Sequence, residues 1–363
     1  MAYTTIDDPS QYFQTEIYTG SGSDNKVVTN SGNSDLQPDW IWIKKRSATG
    51  QHVLSDTNRG ILKVLNSNST TAEDSNSEGE MVKSVQSDGF TLGDSQAGQG
   101  DTNFTSGATY VAWQWKANGG TTSSNSDGDI TSTVQANTTA GFSIVTYTGN
   151  GNDGDTVGHG LSGNWDLCIL KNRGQTDYWT VSRTGTNQVL LLHDTVQEAN
   201  HSTAYMTRAN GVIGLVNAGD LGMVNNSSEN YVAYVFKEVQ GYSKFGSYKG
   251  NGNADGPFVY TGFKPAWTMI KDTDSNGLNW VIQDRERFGG INTEATDKNL
   301  AANSTSAEPS SGSFAGNQID YLSNGFKLRS NAGNTNTNNQ EFFYIAFAHH
   351  PFVSSKGVPV TAR

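Results

Sequence analysis

The sequence predicts an all-β protein of three tandem β-sandwich modules, and three observations carry that prediction. First, one set of landmarks recurs three times in the same order. It reads Tyr18-Thr19-Gly20, Trp40, Gly89-Phe90-Thr91-Leu92 and Tyr110-Val111-Ala112-Trp113. It returns as Tyr147-Thr148-Gly149, Trp165, Gly211 to Leu215 and Tyr231-Val232-Ala233-Tyr234, and again as Tyr248-Lys249-Gly250, Trp267, Gly325-Phe326-Lys327-Leu328 and Tyr344-Ile345-Ala346-Phe347. The step from the first Tyr to the Trp is 22, 18 and 19 residues, and from that Trp to the second Tyr 70, 66 and 77. Such a period is domain-sized, well beyond the roughly 20–50 residues of a solenoid repeat. Second, short alternating segments such as Phe142 to Tyr147, Tyr178 to Ser182 and Trp280 to Asp284 end in Gly, Asn or Asp, the signature of strands closed by turns. Third, only 34% of residues are apolar and 16% charged, with 41 Gly among the 363, so uncharged polar turn-formers fill the balance. With 8 Trp, 14 Tyr and 15 Phe to bury, this is a folded composition and not a disordered one.

Taken in order, residues 1–117 form the first module. Residues 118–139, almost wholly Gly, Ser, Thr, Asn and Asp, read as a linker that buries too little apolar surface to offset its ordering entropy. Residues 140–240 form the second module and 241–363 the third. Their short junction, Lys237 to Phe245, carries Tyr242 and Phe245, which predicts that modules 2 and 3 pack together while module 1 is tethered independently. The best helical windows, Gln197 to Met206 and Thr293 to Ala302, lack an apolar stripe. Each module is therefore expected to be a sandwich or jelly roll.

Because side chains alternate along a strand, the repeats can be read against one another. Trp40, Trp42 and Lys44 align with Trp165, Leu167 and Ile169, and with Trp267, Met269 and Lys271, giving one apolar face and core anchors at Trp40, Trp165 and Trp267. The opposite face, Ile41 and Ile43, Asp166 and Cys168, Thr268 and Ile270, reads as half exposed. In the last strand, Val111-Trp113-Trp115, Val232-Tyr234-Phe236 and Ile345-Phe347-His349 share a face. Trp115 and His349, at strand ends, are the expected exposed binding candidates.

The net charge of −11 excludes a phosphate-tracking groove and with it nucleic acid as a partner. The single cysteine, Cys168, excludes an internal disulfide framework, and no apolar run approaches the roughly 20 residues of a membrane-spanning helix. Met1 to Asp8 is polar and acidic, unlike a signal peptide, so synthesis is expected in a cytoplasm. The most enzyme-like arrangement is Asp284 with Glu286, placed two apart on one strand face in the manner of a glycosidase pair. Module 1 has Asp56 and Arg59 at the places of Asp284 and Arg287, and module 2 has Arg183 in place of the Asp, so a local ion pair explains them better and no catalytic residue is expected. Asp153, Asp155 and Asp255 lie in acidic turns with calcium-type oxygen chemistry, but the same residues serve tight turns without a metal. His52, His159, His193, His201, His349 and His350 show no zinc spacing. No other cofactor is expected.

Whole phrases of the chain carry a resemblance. Met1 to Ser10, Asn33 to Lys44, Tyr110 to Lys116 and Gly250 to Trp267 resemble repeat-containing virion proteins of tailed, mainly marine, bacteriophages, over essentially all 363 residues. The resemblance implies concanavalin-type, lectin-like modules and a non-enzymatic structural protein of the tail or fibre. It also implies assembly with other virion subunits and with copies of itself, weak adhesion to host-surface glycan, and release by lysis. A capsid decoration protein is the alternative role. A glycan depolymerase is the third.

Overall fold

Each of the three central strands buries both of its faces. In Trp40–Lys45 every residue is buried; Trp40 and Trp42 enter one core while Ile41 and Ile43 enter another. The equivalent strands, Leu167–Asn172 and Phe263–Asp272, divide in the same way, Leu167 and Ile169 against Cys168 and Leu170, and Trp267 and Met269 against Ile270. Two buried faces make the sheet a middle layer. The face expected to be half exposed is buried under a second, smaller sheet, and the Trp-bearing face is buried under the other two modules.

The computed structural model describes residues 2–75, 81–94, 100–183, 187–200, 205–216, 221–289, 298–309 and 316–360. It is all-β, with strand at 43% and helix at 4%, and the sheets are antiparallel. In module 1, Phe13–Thr19, Thr109–Trp115, Trp40–Lys45 and His52–Asp56 lie side by side in that order, over a small sheet of Lys26–Val28, Phe90–Leu92 and Val82–Val85. Module 3 repeats the plan with Ser243–Lys249, Glu341–Pro351, Phe263–Asp272, Val281–Asp284 and Leu300–Ala301, over Phe258–Tyr260, Gly325–Leu328 and Ile319–Leu322. Module 2 centres on Phe142–Thr148, Asn230–Phe236, Leu167–Asn172 and Trp179–Ser182, over Thr156–Gly158, Val212–Leu215 and Met206–Ala209.

The module 2 sheet is widened by Ser123–Asn125 and Ser132–Asn137, which pair with Phe142–Thr148 as its edge. These strands occupy the stretch expected to be a linker. Main-chain ladder bonds need no apolar side chain, and the entry is pinned by the buried Asp39, which accepts from the amides of Ala117 (2.7 Å), Gly119 (2.8 Å) and Gly120 (2.6 Å). From module 1, Asn58 Nδ2 donates to the carbonyls of Thr133 (3.1 Å) and Ile144 (2.8 Å). Module 1 is therefore bonded to this segment and is not tethered by it. The helical windows are not helical where described: Ala199–Asn200 and Leu300–Ala301 are strands, and 201–204 and 293–297 lie outside the described residues.

Register corrects the alignment of the repeats. Trp40 faces Trp115, Leu167 faces Phe236 and Trp267 faces Phe347 across the central ladder, so Leu167 is the equivalent of Trp40. Tyr18, Tyr147 and Tyr248 face Tyr110, Tyr231 and Phe342, so Phe342 and not Tyr344 begins the matching strand. Both slips are of two residues, which preserves the face of every side chain and so leaves no mark on an alternation pattern. Trp165 lies before its strand begins at Leu167, outside the alternation, and is buried in the sandwich core of module 2, whereas Trp40 and Trp267 lie in the core between modules.

That shared core is aromatic. Trp40 stacks on Tyr234 of module 2 (ring centroids 4.2 Å apart), Phe13 on Phe347 of module 3 (5.3 Å), and Phe236 of module 2 meets Phe347 at 5.7 Å. Tyr242 and Phe245, from the junction of modules 2 and 3, are in it too. No helix among the described residues is long and apolar enough to cross a membrane.

Candidate functional site: the seams between modules

The same main-chain contacts are made at each seam, always in the same rotational sense. Gly50 donates its amide to Thr305 O of module 3, Asp177 of module 2 to Thr70 O of module 1, and Gly277 of module 3 to Thr195 O of module 2, at 2.9, 2.9 and 3.0 Å. Three residues on, the amides of Glu308, Glu73 and Glu198 donate to the carbonyls of Arg46, Arg173 and Thr273 of the next module. Trp179 Nε1 reaches Asn66 O (2.8 Å) and Trp280 Nε1 reaches Leu191 O (2.9 Å), while His52 Nε2 stands 2.9 Å from Ala301 O in the third instance. Three head-to-tail contacts that return to their start close a ring. The chain is a pseudo-trimer in one polypeptide.

Charged groups follow the ring. Glu73 is bound by Arg59 of its own module and Arg173 of the next, both at 2.8 Å. Burial raises its carboxyl, but the two guanidinium groups outweigh that and hold it at about 2. Glu308 is held by Arg46 at 2.6 Å with Arg287 at 3.8 Å, and Glu198 by Arg183 at 2.8 Å. Under each seam lies a buried lysine, Lys44, Lys171 or Lys271, donating to the carbonyl of the residue that follows it. Lys44 and Lys271 also reach Thr305 O and Thr195 O across the seam. Burial lowers these ammonium groups to about 7, 8 and 8 respectively, with Lys45 and Arg287 adding to the shift at Lys44.

Asp284 belongs to this machinery. Wholly buried, it accepts from the Arg287 guanidinium, from the Arg287 amide (3.0 Å) and from Trp113 Nε1 of module 1 (2.9 Å). Asp56 repeats the set with Arg59 and, across the next seam, Tyr234 OH (2.7 Å). In the third instance both halves differ together: module 2 has Arg183 in place of the aspartate, and module 3 has Ile345, with no proton to donate, in place of Trp113 or Tyr234. Asp284 and Glu286 do not share a strand face. The strand ends at Asp284, which caps the helical turn Arg285–Phe288, and Glu286 projects from that turn to the surface.

Trp115, expected at the surface, is 1% exposed, packed among Trp40 (4.5 Å), Phe13 (5.0 Å) and Trp267 (5.8 Å). The end of its strand points to the middle of the ring and not to solvent. His349 is half-buried, and burial, reinforced by His350, lowers its imidazole to about 3. It lines a cavity of about 160 Å³ at the seam of modules 1 and 3 together with Glu286, Thr15, Phe13, Ala266 and His350. Two sequence candidates drawn from different readings thus meet at one place.

A family model described as a domain of unknown function, DUF7483, matches residues 8–351. The chain belongs to that family. No curated protein and no solved structure matches it. The DUF7483 match spans all three modules, so it takes in the whole ring and every seam.

The acidic turns of this DUF7483 chain are organised by a residue the sequence analysis missed. Buried Asn103, Asn225 and Asn336 each accept from the amides of Ser21, Asn150 and Asn251 (2.7, 3.0 and 2.9 Å) and donate to the carbonyls of Ser23, Asn152 and Asn253 (all 2.8 Å). The available signal was an Asn six or seven residues before the aromatic that opens each last strand. Of the calcium candidates, Asp155 accepts from Asn150 and Asn152, and Asp255 pairs with Lys327 at 2.8 Å, while Asp153 stands exposed in its turn. Among the described residues no cluster of three or more His, Cys, Asp or Glu could hold a metal ion.

Proposed function

We propose that this DUF7483 chain is a non-enzymatic structural protein of a tailed-bacteriophage particle, a tail or fibre appendage that touches host-surface glycan weakly. The observation that carries the reading is the commitment of polar chemistry to the seams. Asp284, the residue an enzyme would need, is buried and saturated by Arg287 and Trp113, and its counterpart Asp56 is saturated by Arg59 and Tyr234. The apolar frame and the main-chain seam bonds repeat in all three modules; among the described residues no reactive constellation does. Neighbouring first and last strands in each large sheet support a lectin-like, jelly-roll description of the modules. Assembly with other virion subunits and with further copies belongs to the same reading.

Cryo-electron microscopy of the intact particle tests it. Density for the ring on the tail or fibre is the expected result, density on head lattice sites would replace the appendage role with capsid decoration, and absence from the particle would overturn the reading. Incubation with host polysaccharide should leave its chain length unchanged.

A further inference from the structure

We propose that the cavity between modules 1 and 3 binds one neutral pyranose unit of a glycan. This deepens the adhesion reading above and rests on it for the source of the ligand. Size sets the first limit: about 160 Å³ lies below the roughly 300–1,000 Å³ of pockets that take drug-sized molecules, which leaves room for a single small ring. Chemistry sets the second. The floor is a small apolar patch of Phe13, Ala266 and Ala348, suited to the C–H face of a sugar ring, and the walls are polar.

Three of those walls carry unused hydrogen-bonding capacity. Thr15 Oγ1 and His349 Nδ1 are buried without a protein partner, and Glu286 makes no hydrogen bond or ion-pair contact among the described residues. Buried polar atoms ordinarily find partners, so two orphans on one cavity point to an occupant that supplies them. A hydroxyl can both donate to Glu286 and to an imidazole nitrogen and accept from Thr15, which a polyol does at several positions at once. An anionic sugar would meet the Glu286 carboxylate, and no described cluster suits a metal ion.

The test uses the full chain with methyl α-glucopyranoside and methyl β-galactopyranoside as probes and N-acetylneuraminic acid as the anionic control, read by saturation-transfer NMR and by the imidazole shifts of His349 and His350. At least one neutral pyranoside should transfer saturation and move both imidazoles, and the anionic control should not. Glu286→Ala, at the surface, should weaken binding about tenfold or more, as loss of a hydrogen bond to a charged group does, and Thr15→Val should weaken it less. Binding by neither pyranoside, or binding unchanged in Glu286→Ala, would overturn the site. Whole-cell binding separates the two levels: wild-type adhesion that survives Glu286→Ala removes this site and leaves the adhesion reading. Pyranoside binding at the cavity without any whole-cell adhesion leaves the site standing and removes that reading.

Discussion

Lys44, Lys171 and Lys271 are buried ammonium groups repeated once in each module. Their ordinary value is 10.5, and the fold lowers it to about 7, 8 and 8, so between roughly pH 7 and 10.5 the unfolded chain holds protons that the folded chain releases. Stability should therefore rise with pH across that window, and urea midpoints measured at successive pH values should show it. In Lys44→Met the rise should be shallower, because one of the three groups no longer titrates. Asp284 makes the opposite case, a buried charge that is fully partnered. Asp284→Asn leaves the Arg287 guanidinium without its counter-charge and should cost about 3–5 kcal/mol in denaturant unfolding. Polysaccharide chain length should be no different between this variant and wild type. A cleavage activity present in wild type and lost in Asp284→Asn would favour the depolymerase role.

Among elements, the segment 118–139 shows where composition misleads. Its Ser, Thr and Asn side chains offer little to a core, yet Ser132–Asn137 is fixed by a main-chain ladder to Phe142–Thr148 and by Asn58 of module 1, interactions that belong to the backbone and to a residue far away in sequence. Hydrogen exchange should accordingly find the amides of Val134 to Ala136 protected. Limited proteolysis should spare this stretch, and early cleavage between residues 123 and 137 would contradict its place in the sheet. The strands themselves were legible because alternation of apolar residues is local, as was the Asp–Arg pair at positions 56 and 59. A register slip of two was not, since it turns no side chain over. Glu286 and His349 both belong to module 3, but the cavity they line is closed by Phe13 and Thr15 of module 1 and so depends on ring closure, which no local pattern encodes. The depth of Trp115 has the same origin: a strand end is exposed in a free-standing sandwich and central in a ring.

At the scale of the whole molecule, three modules that look like independent domains along the chain share one aromatic core. Module 1 alone would present Trp40, Trp42, Trp113 and Trp115 to water; in the ring Trp40 stacks on Tyr234, Trp113 meets Trp267 edge to face, and Trp115 meets Trp267 and Phe347 in the same way. Removing one of them should be felt in all three modules, with Trp40→Ala costing about 3–5 kcal/mol. Such a loss would be spread through the ring and not confined to residues 1–117. The measurement that tests this most directly is scanning calorimetry of the full chain. A single transition whose calorimetric and van't Hoff enthalpies agree is the predicted result, and two or three separable transitions, with only one displaced by Trp40→Ala, would contradict the shared core.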